Sequence, residues 1–128
     1  MRRFFLFRAP LAAYALLVVY ISLTPNPPHG PDIQGIDKFY HFMVYAVMGL
    51  LLARAATEGG SAVADARRVV FMTAMAGFSF GVLMETGQMF VPERSPEALD
   101  ALANGAGALF GAAVYVRLAF KKSTIGGT

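Results

Sequence analysis

Along this chain, long apolar runs alternate with short stretches rich in proline, glycine or charge. Residues 9–23 carry no charge at all. The next stretch, 24–36, holds Pro25, Pro27, Pro28, Gly30, Pro31 and Gly35. Proline at that density cannot continue a helix, so this segment is a loop. A second apolar run opens at Asp37 and reaches Ala55, and Glu58-Gly59-Gly60-Ser61 breaks it. Residues 62–68 read as the first turns of a third helix, whose apolar part ends before Pro92. A short loop at 91–97 precedes the last run, which Lys121 and Lys122 close. The Ser/Gly/Thr tail beyond them is expected to fray. The pattern predicts four helices, over about 9–24, 37–55, 69–91 and 98–120, in one domain spanning 1–128.

The polar residues inside these runs keep helical spacing. Asp37, His41 and Tyr45 recur every four residues and share one face, with Lys38 beside them. Gly77, Gly81 and Glu85 do the same in the third run, with Gln88 three residues on. Asp100, Asn104, Gly107 and Gly111 follow one face of the fourth. Gly77-x-x-x-Gly81 and Gly107-x-x-x-Gly111 are small-residue patterns that let helices approach closely. They predict a clamp between helices three and four.

Composition turns four helices into four membrane spans. The chain is 56% hydrophobic and only 15% charged, where a soluble domain carries about a quarter. Its mean hydropathy is +0.53. The expected fold class is therefore all-α, an integral membrane four-helix bundle. The charge-free part of helix two is short of the ~20 residues of a full span, so its polar end belongs at the interface or in a cavity. There is no cysteine, which removes disulfides, thiolate metal ligands and thiol nucleophiles.

The net charge of +3 does not call for nucleic acid, because the basic residues flank apolar runs and act as topology signals. Arg2, Arg3, Arg8, Arg54, Arg67, Arg68, Arg117, Lys121 and Lys122 fall on one side; only Lys38 and Arg94 fall on the other. This bias predicts both termini in the cytoplasm and a cytoplasmic-membrane location. The first run reads as a retained anchor, since Pro25 disfavours cleavage after the small residues Ser22 and Thr24. Arg2-Arg3 only loosely resembles a twin-arginine signal.

This topology gathers Asp37, Lys38, His41, Tyr45, Glu85, Gln88, Arg94, Asp100 and Asn104 at the outer face. At ~1.5 Å rise per residue, Tyr45 lies about 12 Å below Asp37 and Glu85 about 10 Å below Pro92. Polar groups at such depth face protein or water rather than lipid. Glu85 needs a partner, either structural (Lys38, Arg94 or His41) or a ligand for which it acts as base or anchor. His41 has several acidic neighbours at its level and is, with Glu85, the candidate for acid–base chemistry. Arg94 and Lys38 suit a phosphate, or ion pairs with Glu93, Glu97 or Asp37. Asp100 can cap helix four, while Asn104, one turn deeper, suits an interhelical or ligand contact. Tyr45 suits an interhelical hydrogen bond. His29 receives no role. A metal on His41, Glu85, Asp37 and Asp100 is conceivable, yet HExxH spacing and a second intramembrane histidine are missing, so no metal or other cofactor is expected.

Taken together, Asp37-Lys-x-x-His41-x-x-x-Tyr45, Glu85-x-x-Gln88, Pro92-x-Arg94 and Asp100-x-x-x-Asn104-x-x-Gly107 resemble the VanZ-like membrane protein family over about residues 10–118. The resemblance implies a small helical membrane protein, associated in the family's namesake with low-level resistance to the glycopeptide teicoplanin. The chain departs from the family pattern after Arg94, where Ser95-Pro96-Glu97 places a carboxylate instead of a smaller polar residue. The expected function is an outward-facing polar pocket that binds, or also modifies, an amphiphilic envelope lipid, lipid-linked precursor or lipoglycopeptide. The alternative is a non-enzymatic structural or assembly subunit, with a homo-oligomer or another membrane protein as partner. A transporter is disfavoured, because no inverted repeat is present and the polar groups occupy one leaflet.

Overall fold

The computed structural model describes residues 1–25, 33–58 and 65–125. His29 with its neighbouring prolines, the Gly59-Gly60-Ser61 break and the end of the Ser/Gly/Thr tail lie outside them. The chain forms a π-helical turn (Phe4–Arg8) that continues into α1 (Ala9–Leu23), then α2 (Ile36–Ala56), α3 (Ala66–Gln88) and α4 (Ala98–Ile125). The described residues contain no strand. Four segments are long and apolar enough to cross a membrane: Phe4–Leu23, Ile36–Ala56, Ala66–Gln88 and Ala98–Ala119. The fold is thus the all-α membrane bundle that the pattern predicts.

Three boundaries differ from expectation. α3 begins at Ala66 because Asp65 caps it, its carboxylate accepting the Arg68 backbone N–H at 3.0 Å; such a cap satisfies a donor the helix leaves free. The same helix ends at Gln88, and Met89, Phe90 and Val91 continue as tighter turns, each N–H reaching a carbonyl three residues back. α4 runs past Lys121 and Lys122 to Ile125. Neither lysine breaks a helix, and the first strong breaker is Gly126.

α4 is the hub. Its closest neighbour is α2, then α3, while α1 touches α2 and α3 but, among the described residues, not α4. Glycines set the α2–α4 approach. A Cβ at Gly107 would strike the Phe42 carbonyl, one at Gly111 the Ala46 carbonyl, and one at Gly49 the Ala108 backbone. Gly77 and Gly81 of α3 instead face Ala108 and Asn104. The predicted clamp between helices three and four is therefore split: Gly77 and Gly81 seat α4, but Gly107 and Gly111 press on α2. The reason is rotational. Gly107 and Ala108 lie about 100° apart around α4, so one helix presents small residues to two partners.

The ends of the bundle are chemically distinct. At one end, Arg3 and Arg8 pair with Glu58 at 2.9 and 3.2 Å, Arg54 lies 5.0 Å from the centroid of the Phe7 ring, and the Thr57 and Tyr115 hydroxyls meet at 3.1 Å. At the other end, the C-terminus of α1, the start of α2, the end of α3 and the start of α4 come together around the polar residues.

Candidate functional site

The polar end is assembled from four places in the chain. α2 delivers Lys38 and His41 one turn apart. α3 delivers Glu85 and Gln88 after the two glycines that bring it against α4. α4 delivers Asp100 in its first turn and Asn104 in the next. The loop before α4 adds Glu97.

Lys38 is the cationic centre of the outer part. Its ammonium pairs with Asp37 and Glu97, and lies 3.1 Å from Asp100 Oδ1, off the geometry of a hydrogen bond. Asp37 and Glu97 are half exposed, while the Asp100 side chain is only 10% exposed. The inner part centres on His41. Its Nδ1 meets Asn104 Oδ1 at 3.0 Å, and its Nε2 lies 3.6 Å from Asp100 Oδ2. Glu85 Oε1 is 4.0 Å from Nδ1, and Glu85 Oε2 accepts the Glu97 backbone N–H at 3.2 Å. Asn104 is 1% exposed, and this burial is possible because Gly81 leaves room: a Cβ there would come within 2.8 Å of Asn104 Cβ and Nδ2.

Several buried polar atoms have no hydrogen-bond partner: Tyr45 Oη, Glu85 Oε1, Asp100 Oδ1 and Asn104 Nδ2. Burying such an atom unpaired costs about 1–3 kcal/mol. Asp100 Oδ1 has the Lys38 ammonium 3.1 Å away; the other three, at one end of a small bundle, mark a place built for more than packing.

Beside this cluster lies a cavity of about 170 Å³ between α1 and α2. Leu17, Val18 and Ile21 form apolar walls, and His41, Gln88 and Arg94 form its polar end. Tyr14 fixes the two helices around it by donating its hydroxyl to the Val44 carbonyl at 2.9 Å.

Of the nine residues singled out from the sequence, Lys38, His41, Glu85, Asp100 and Asn104 form one contiguous cluster. Asp37 joins at its exposed rim through Lys38. Tyr45 and Gln88 are buried beside it and line the cavity. Arg94 stands apart. Its guanidinium donates to Ile21 O at 2.7 Å and to Thr24 O at 3.2 and 3.3 Å, capping the end of α1. It makes no ion pair with Glu93 or Glu97, because the free carbonyls that close α1 occupy its donors. Two participants were not singled out. Glu97 was named as an ion-pair partner and as a departure from the family pattern, and it does pair with Lys38; Tyr14 was visible only as a lone hydroxyl in an apolar anchor.

No curated protein matches the chain, and no solved structure does. A family model described as VanZ/LLP1 matches residues 6–120. That match takes in α1, α2, α3, most of α4 and every residue of the polar cluster, and the chain belongs to the VanZ/LLP1 family.

Proposed function

We propose that the polar end is a binding pocket for an amphiphilic molecule of the cell envelope: a lipid, a lipid-linked precursor or a lipoglycopeptide. The supporting observation is the junction of two environments. The cavity between α1 and α2 has apolar walls of Leu17, Val18 and Ile21, suited to a hydrocarbon chain, and it ends on His41, Gln88 and Arg94, suited to a polar head. Apolar surface with a few convergent polar groups is the usual make-up of a ligand site. Both termini lie in the cytoplasm under this reading, following the nine-to-two distribution of basic residues, so the pocket faces outward from the cytoplasmic membrane. His41 and Glu85 are the groups that would exchange a proton with a bound molecule.

Native mass spectrometry on gently extracted protein tests this. Wild type is expected to retain a specific lipid-like adduct, and Leu17→Trp, which fills the apolar part, and His41→Ala, which empties the polar part, are expected to lose it. Identical adduct-free spectra from all three folded proteins would refute the pocket.

A second reading, a structural or assembly subunit, draws on the fact that the polar contacts link different segments: Lys38 to Asp100, His41 to Asn104, and Glu85 to the Glu97 backbone. It predicts that Glu85→Gln and His41→Ala lower expression and melting temperature without altering any bound species.

A further inference from the structure

We infer that His41, Glu85 and Asp100 hold a divalent metal ion of the zinc or manganese class. One ligand atom from each of the three lies within 4.8 Å of those of the other two. Two such trios exist among the described residues, and they differ in one respect. Asp37, Glu97 and Asp100 surround the Lys38 ammonium, which is their cation. The trio of His41, Glu85 and Asp100 meets that ammonium only through Asp100 Oδ1; Glu85 makes no ion pair with a lysine or arginine among the described residues. Arg94, the other cationic side chain at this end, spends its donors on α1 carbonyls.

The burial makes that gap costly. The Glu85 side chain is 9% exposed, and its Oε1, 4.0 Å from His41 Nδ1, has no hydrogen-bond partner. A carboxylate oxygen buried so and left unpaired calls for a cation.

The histidine is set up as a ligand. Asn104 Oδ1 accepts at His41 Nδ1, so that nitrogen carries the proton and Nε2 keeps its lone pair. That lone pair faces Asp100 Oδ2 at 3.6 Å, an unfavourable meeting of two acceptors unless a positive ion sits between them. Metal-binding histidines characteristically donate their other ring N–H to an oxygen, which fixes ring and tautomer; Asn104 supplies it here. Metal–ligand bonds of about 2.0–2.2 Å put tetrahedral ligand atoms about 3.4 Å apart, close to the His41–Asp100 separation already present. One imidazole and two carboxylates suit zinc or manganese. The inference deepens the reading of the polar end as a pocket, since such an ion would give the polar part of a ligand an electrophilic contact.

The test is metal titration of chelator-treated full-length protein in detergent. The probes are Zn²⁺ and Mn²⁺ alone, with Co²⁺ absorption reporting nitrogen coordination. Wild type is expected to take one ion per chain. The near-isosteric variants Glu85→Gln and Asp100→Asn should each weaken it at least tenfold, and Asn104→Ala about 10- to 100-fold. Glu58→Gln, at the opposite end of the bundle, should leave binding unchanged. Circular dichroism establishes that each variant is folded. Absence of a stoichiometric ion on folded wild type overturns the site, as does equal binding by Glu85→Gln and Asp100→Asn. A lipid adduct that persists on ion-free wild type would uphold the pocket while the metal site fails. One bound ion with no adduct would uphold the metal site while the pocket fails.

Discussion

The Nδ1 of His41 and the Oδ1 of Asn104 lie 3.0 Å apart across the α2–α4 interface, and Gly81 of α3 is what leaves Asn104 room to be there. Three helices thus fix one imidazole. Gly81→Ala should push Asn104 away and cost about 1–3 kcal/mol, as overpacking does. The expected signs are reduced unfolding stability in detergent and a shifted His41 ring resonance. Unchanged values for both would show that Gly81 does not govern the contact.

Glycine substitutions on α4 should separate by what the new methyl meets. At Gly107 and Gly111 it meets a backbone carbonyl of α2, which cannot rotate away; at Gly105 it meets the Phe78 ring at 2.9 Å, which can. Gly107→Ala and Gly111→Ala are expected to destabilise by ~3 kcal/mol or more, and Gly105→Ala by about 1. Steric trapping or SDS unfolding measures the order, and equal losses would contradict the interface.

Lys38→Met removes the ammonium shared by Asp37, Glu97 and Asp100. Stability is expected to fall, and to recover in part when Asp100→Asn is added, because the buried carboxylate is then neutralised. A double-mutant cycle should give a coupling of at least ~0.5 kcal/mol. Additive effects would mean that the Lys38–Asp100 approach carries no energy.

Arg94→Lys should behave almost like Arg94→Ala. One ammonium cannot serve Ile21 O and Thr24 O as the guanidinium does. The expected cost is about 1–3 kcal/mol, together with faster hydrogen exchange in the last turn of α1 and little change in α4. Full rescue by lysine would show that charge alone holds α1.

The proposed orientation is open to a direct check because the chain has no cysteine of its own. In intact cells an impermeant maleimide should label Ser95→Cys, while Lys121→Cys should react only after permeabilisation. The reverse pattern would place the polar end on the cytoplasmic side.

Much of this arrangement is legible in the sequence. Four-residue spacing put Asp37, His41 and Tyr45 on one face, and Asp100 and Asn104 on another, and charge bracketed the spans. The partner of each face was less legible. A glycine pattern says that a helix comes close but not which helix comes, so the α2–α4 contact of Gly107 and Gly111 went to α3. The contacts of Arg94 with α1 were hidden for a related reason: its acceptors are main-chain carbonyls, which leave no mark in residue type. Glu97 lies in a loop whose path only the packed helices determine.

The hub position of α4 bears on how the protein is made. α4 leaves the ribosome after the other three helices, yet it carries Asp100 for Lys38, Asn104 for His41 and the glycines that seat α2. Until it inserts, α2 and α3 stand in the bilayer with those polar side chains lacking their α4 partners. The core of the bundle can therefore close only once α4 has joined the other helices. Substitutions in α4 should act first on how much protein survives biogenesis, and only afterwards on what the survivor does.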